Sequence, residues 1–270
     1  MVFYGISKKA SLVGAFFMAG LFSLVCLDAS AAACPRPEAV QTVRVARVVD
    51  GDTLKLADGR SVRLIGMNAT ELAHHGRPEE PFAVAAQRRL QALVAANDGE
   101  VGLVPGQQGR DRYGRTLAHV YDARGNNLES RLLAEGLGYL VAIAPNTDLT
   151  ACQQAAEREA RNAQLGLWKK SPVQTAEQLH ESGFALVRGR VERIQRNRGG
   201  LWIDLDGPLV LRIEAKLVQQ FDDATLRDLK GRQVEARGWV IDRSARGGVK
   251  PGQARWMLPL TDPAMMEVLP

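Results

Sequence analysis

Two carboxylates, Asp50 and Asp52, flank a glycine in the run Asp50-Gly51-Asp52-Thr53. Residues two apart on an extended chain point to the same side. Acids gathered in one place repel each other unless a cation or a guanidinium stands between them. Later segments supply two arginines, Arg63 and Arg115, and a further acid, Glu71. Guanidinium binds phosphate bidentately and stays charged. A hard cation held by carboxylate oxygens brings positive charge from another side. Together these groups suit in-line attack on a phosphodiester, where charge builds on the phosphoryl oxygens and a water must be oriented or deprotonated. Asn68 and the run Asp111-Arg112-Tyr113-Gly114-Arg115 add polar groups to the same candidate site. Taken singly the signals are weak: Asp-Gly is more often only a turn, and one arginine on a strand is usually a solvated face.

Such residues need strand ends and loops to bring them together. Residues 42–49 alternate and are β-branched, 53–56 return after the Asp-Gly turn, and 61–67 make a third strand. Residues 68–81 lack periodicity and read as a long loop; the loop histidines His74 and His75 read as solvated. Residues 82–96 show helical spacing of Phe82, Ala86, Leu90, Leu93 and Val94. Strands are predicted over 101–104 and 116–121, with a polar loop over 106–114 between them. Asn127 caps a short helix, and Thr150 with Gln153 reads as a capping box opening a third helix that stops at Gly166. Past a polar linker, strands are predicted over 185–194, 201–206 and 209–213, a helix over 216–229, and strands over 234–240 and 256–260. Three strands, a helix and two strands fit a second, smaller OB-like barrel.

Together and in order, these motifs resemble the staphylococcal nuclease (thermonuclease) family. Its pattern appears here as Asp50-Gly51-Asp52-Thr53, as Arg63-Leu64-Ile65-Gly66-Met67-Asn68-Ala69-Thr70-Glu71, as Asp111-Arg112-Tyr113-Gly114-Arg115 and as Leu165-Gly166-Leu167-Trp168. The resemblance covers roughly residues 40–168, one ordinary domain. It implies an α+β, mainly β fold: a five-stranded OB-type barrel with three helices. It also implies a calcium-dependent nuclease acting on DNA and RNA. Asp52 matches a calcium ligand, Asn68 stands where the family has an aspartate ligand, Ala69 lends a carbonyl, and Asp50 is a supporting acid. Arg63 and Arg115 match the phosphate-binding arginines, and Glu71 the presumed general base. Tyr113 and Asp111 match substrate-side positions. Two departures stand out. Asn68 removes one negative charge and implies weaker calcium binding, and Thr70 replaces a proline. The rival expectation is a nucleic-acid-binding protein that has lost turnover through Asn68.

Composition and address add context. The chain of 270 residues carries a formal net charge of +5. Lys8-Lys9, an apolar run over 10–27 and Ala29-Ser30-Ala31 read as a secretory leader over 1–33. Losing Lys8, Lys9 and Asp28 with it leaves a charge of +4, suited to a polyanionic partner. The expected layout is then 34–170 for the nuclease-like domain, 171–183 for a linker and 184–270 for the second barrel. The expected protein is periplasmic or secreted, a monomer, and free of the membrane once the leader is cut. Of three cysteines, Cys34 and Cys152 remain, an even pair expected to form a disulfide; lipidation of Cys34 is the alternative. In the second barrel, Trp202, Trp239 and Trp256 lie within strand patterns, and Arg196, Arg198, Arg243, Arg246 and Lys250 in connections. Core packing with solvated loops and affinity for nucleic acid both remain open there.

Overall fold

Alternation of apolar and polar residues is realised as two closed barrels, in a computed structural model that describes residues 1, 2, 5, 34–73, 76–246, 249–250 and 252–270. Contacts divide the chain into Met1–Ser30 and Ala31–Pro270, and both barrels belong to the second unit. The leader expected over 1–33 falls outside the described residues apart from 1, 2 and 5, and His74-His75 fall outside them as well.

The first barrel is built from β1 (Gln41–Asp50), β2 (Thr53–Leu56), β3 (Ser61–Leu64), β5 (Glu100–Arg110) and β6 (Thr116–Tyr121). Its closed order is β1-β2-β3-β6-β5. A two-residue strand, β4 (Met67–Asn68), pairs outside it with β7 (Tyr139–Leu140). Three helices surround the barrel: α1 (Ala83–Ala95), α2 (Leu128–Ala134) and α3 (Thr150–Asn162). Leu54, Val62, Leu64, Leu90, Leu103 and Val120 fill its core. Each such side chain contributes about 1.5–3 kcal/mol on burial.

The second sheet contains β8 (Val173–Thr175), β9 (Gly183–Asn197), β10 (Gly200–Leu205), β11 (Leu209–Glu214), β12 (Gln233–Asp242), β13 (Trp256–Leu260) and β14 (Met266–Val268). Pairing of β12 with β9 closes β9-β10-β11-β13-β12 into a barrel. The circuit repeats that of the first barrel, including one parallel pairing: β3 with β6 there, β11 with β13 here.

Several local expectations give way to packing. The predicted loop over 106–114 is half strand, since β5 runs on to Arg110, which pairs with Thr116. The helix expected over 216–229 is a 3-10 turn, Val218–Gln220, followed by a short α4, Asp223–Arg227. Asp222 accepts from the Thr225 N–H at 2.8 Å, a start signal that begins a new helix there. The Thr150 capping box does not form. Gln153 turns inward instead and donates to the Ile65 carbonyl at 3.1 Å. Its amide fills the space beside Gly66, which has φ +93° and no room for a Cβ. Residues 171–183, read as a linker, contain β8, which pairs in parallel with β9.

The barrels are held together by polar and apolar groups. Arg161 of α3 grips Glu235 of β12 with bonds of 2.7 and 2.8 Å. Arg237 of β12 reaches Glu157 of α3 at 2.7 Å. Rings continue the seam: Tyr139 packs on Trp168 and Phe184, and Phe184 on Trp239. Cys34 and Cys152 are joined by a disulfide that ties the segment before β1 to α3. Among the described residues, no helix is long and apolar enough to cross a membrane.

Candidate active site

The Gly51-Asp52 turn links β1 to β2, with Asp50 opposite Thr53. Its glycine is required by close approach. A Cβ at Gly51 would lie 2.6 Å from the Ala86 Cβ and 2.7 Å from the Ala69 Cβ. The small residue on α1 therefore lets the helix press on the turn. Gln87 of α1 adds a bond to the Val49 carbonyl at 2.8 Å.

This packing buries Asp52, which is 1% exposed. Its Oδ1 accepts from Arg63 and from the Thr53 hydroxyl, and its Oδ2 from the Ala69 N–H at 2.7 Å. The Asp52 N–H donates in turn to Asp50 Oδ1 at 3.0 Å. Arg63 stands on the outward face of β3, between buried Val62 and Leu64. Its second terminal nitrogen donates to Asn68 Oδ1 at 2.8 Å. The structure thus joins Asp50, Asp52, Arg63, Asn68 and Ala69 by direct bonds. Burial pushes the Asp52 carboxyl up to about 7 against the opposing pull of Arg63.

Arg115, Asp111 and Tyr113 form a second cluster in the turn between β5 and β6. Asp111 uses both oxygens inside that turn. Its Oδ1 accepts from the N–H groups of Tyr113 and Arg115, and its Oδ2 from Arg115 Nε at 2.7 Å. Burial raises the Asp111 carboxyl, but the Arg115 bonds outweigh it and hold the group below its ordinary range. Asp111, expected on the substrate side, therefore aims Arg115. Tyr113 is 68% exposed, with the guanidinium groups of Arg112 and Arg115 at 4.8 and 5.5 Å from its ring centre. A cleft of about 400 Å³ opens here, lined by Arg60, Arg110, Tyr113 and Arg115 among others. Parallel pairing sets Arg63 opposite Leu117. Arg115 stands two residues before Leu117, just ahead of β6, which leaves the Arg63 and Arg115 backbones on the order of 8 Å apart.

Glu71 is exposed on the loop that follows β4. Its N–H donates to Glu80 Oε2 at 2.9 Å, and its carbonyl accepts from the Glu80 N–H at 2.9 Å. Thr70, standing where the family has proline, closes the same loop by donating to the Pro81 carbonyl at 2.8 Å. Glu80 and Thr70 thus position Glu71. No local pattern pairs residues nine apart in a loop, so the sequence carries no signal for this role of Glu80.

The resemblance implies a divalent cation. Asp52, Asn68 and Ala69 offer hard oxygens, the donor type that calcium takes. Among the described residues, no group of three or more His, Cys, Asp or Glu side chains is arranged to hold a metal ion. The donor type suits a hard cation, but Asp52 Oδ1 and Asn68 Oδ1 both accept from Arg63, which a cation would have to displace. Asp52 is already paired with Arg63, and Asn68 supplies an oxygen without adding a negative charge.

The profile described as Staphylococcal nuclease homologue matches residues 61–170. Thermonuclease of Staphylococcus intermedius is 32% identical over 130 residues, 47% of this chain and 75% of that protein. Thermonuclease of Staphylococcus hyicus is 30% identical over 131 residues, 47% of this chain and 76% of that protein. Endonuclease YncB of Bacillus subtilis (strain 168) is 32% identical over 133 residues, 48% of this chain and 62% of that protein. Each match spans less than half of the present chain, and the profile lies wholly within the first barrel and its helices.

Proposed function

Since the chain belongs to the staphylococcal nuclease family, we propose that it is a nuclease hydrolysing phosphodiester bonds of DNA and RNA with little sequence preference. The observation that carries this reading is the bonded set Asp52–Arg63–Asn68 on the outer face of a barrel that also presents Arg115.

Arg63 and Arg115 bind the scissile phosphate and offset the charge that grows on its oxygens. Asp111 keeps Arg115 in place. Glu71, held by Glu80, orients a water and takes its proton as the water oxygen bonds to phosphorus. The bond to the 5′-oxygen breaks, that oxygen gains a proton from solvent, and a 3′-phosphate end remains. Tyr113 offers a ring on which a base stacks. A calcium ion held by Asp52, Asn68 and the Ala69 carbonyl supplies Lewis-acid charge when bound. Export to the periplasm or beyond suits the Cys34–Cys152 disulfide, a bond that persists in oxidising compartments.

A second reading, binding without turnover, draws on Asn68 and on the engagement of Arg63 with Asp52. Incubation of plasmid DNA and of RNA with the purified protein separates the two. The nuclease reading predicts degradation with calcium that chelator stops. A gel shift with intact nucleic acid under both conditions supports binding alone.

A further inference from the structure

The second barrel carries its own group of guanidinium and aromatic side chains on the face corresponding to the site above. Along β10, Leu201, Ile203 and Leu205 enter the core, so Trp202 and Asp204 face outward. Trp202 lies opposite Gln195 of β9 and Arg212 of β11. The Arg212 guanidinium is 5.1 Å from the Trp202 ring centre, and that of Arg243, entering after β12, is 5.7 Å away. The indole N–H donates to Asn197 Oδ1 at 3.1 Å, which fixes the ring. A cleft of about 120 Å³ is lined by Trp202, Gln195, Asn197 and Arg243 among others. Arg193 at its edge pairs with Asp204 at 2.8 Å, and Arg196 and Arg198 are exposed at the adjoining turn. Arg212 and Arg243 thus stand beside the ring, while Asp204 offsets Arg193.

Trp256 shows the other fate of tryptophan in this barrel: it is 1% exposed, inside the core. Trp202 is held outside, on the strand next to the third. In five-stranded barrels of this circuit, the second and third strands with the flanking connections form the oligonucleotide face. Planar bases stack on an aromatic ring and on guanidinium planes, while arginines neutralise the phosphates between them.

We propose that this face binds single-stranded nucleic acid, with a base stacking at Trp202 and phosphates held by Arg212 and Arg243. It binds without cutting. The turn between β9 and β10 holds Asn197, Arg198 and Gly199, with no acid in the place that Asp52 takes in the first barrel. The site is independent of hydrolysis in the first barrel.

The test is fluorescence anisotropy of a labelled single-stranded oligonucleotide, with chelator present and in a Glu71→Ala, Arg115→Ala background that leaves the probe intact. Trp202→Ala weakens binding about tenfold or more, and Trp202→Phe, which keeps a ring, retains most of it. Arg243→Gln lowers the slope of log affinity against log salt by about one. A thermal melt verifies that each variant is folded. Should Trp202→Ala not fold, Trp202→Phe and Arg243→Gln decide by the same readouts. Binding within twofold of the parent, with an unchanged salt slope, overturns the proposal. A protein that cuts nothing yet loses oligonucleotide affinity on Trp202→Ala leaves this site standing and defeats the hydrolytic reading instead.

Discussion

The two barrels share one strand circuit and differ in what the turn after the first strand holds. In the first barrel that turn buries Asp52 against α1, and Arg63 of the third strand answers it. In the second, the corresponding turn is Asn197-Arg198-Gly199, and Arg212 of the third strand lies over a tryptophan ring. One scaffold thus presents an outward arginine on its third strand for two purposes. Beside buried carboxyl and amide oxygens it joins a site able to hold a cation and a phosphate. Beside an indole it makes a stacking platform. The lesson is that the fold supplies the platform and a single turn selects the chemistry.

Among variants that compare the two barrels, the largest expected effect tests whether only the first one cuts. Arg115→Ala should lower the rate of plasmid hydrolysis by about 10²–10³-fold and leave the melting temperature nearly unchanged, because Arg115 is bound mainly within its own turn. A matching loss from Arg243→Gln would show that the barrels do not divide the work.

Next is the seam between them. Glu157 is 2% exposed and Arg237 is 8% exposed. Removing one partner of a buried pair strands the other charge. Arg237→Ala should therefore cost about 3–5 kcal/mol in urea unfolding. The exposed pair Arg44–Glu100 is the control, and Arg44→Ala should cost about 1 kcal/mol or less. Equal losses would mean that the barrels are not coupled through α3 and β12.

A smaller effect concerns the cation. Asn68→Asp places a second carboxylate beside Asp52 and should tighten calcium binding about tenfold, measured by calorimetry. Unchanged affinity would remove Asn68 from the donor set.

The smallest is a pH effect at the seam. Burial raises the Glu235 carboxyl, but Arg161, Arg188 and Arg237 outweigh it and hold the group below its ordinary value of 4.5. Its contribution is full above that value and is lost as pH falls through the lowered folded value. Glu235→Gln should accordingly flatten the acid limb of the stability curve below about pH 4.5. An unaltered limb would show that Glu235 is paired no better folded than unfolded.

Much of the first barrel was legible because its chemistry is local in sequence. The Asp50-Gly51-Asp52-Thr53 turn, the Arg63 strand and the Asp111 to Arg115 turn each carry their own signal. The need for Gly51 was legible only in part. Asp-Gly suggests a turn set by backbone freedom, whereas here the glycine makes room for Ala86 and Ala69. The roles of Glu80 and Gln153 were hidden, since each depends on a partner supplied by folding: the backbone of Glu71 and the carbonyl of Ile65. In the second barrel, alternation located the strands but could not assign the tryptophans. Trp256 enters the core, while Trp202 and Trp239 stay outside, a choice set by register. The helix expected over 216–229 failed because Asp222, inside that span, caps a fresh start.

The most direct measurement is calcium-dependent hydrolysis of plasmid DNA by the purified protein beside its Glu71→Ala variant. The account predicts cleavage by the parent with calcium, none with chelator, and a rate lower by about 10²–10⁴-fold in the variant. Equal cleavage by parent and variant, or cleavage indifferent to chelator, would contradict it.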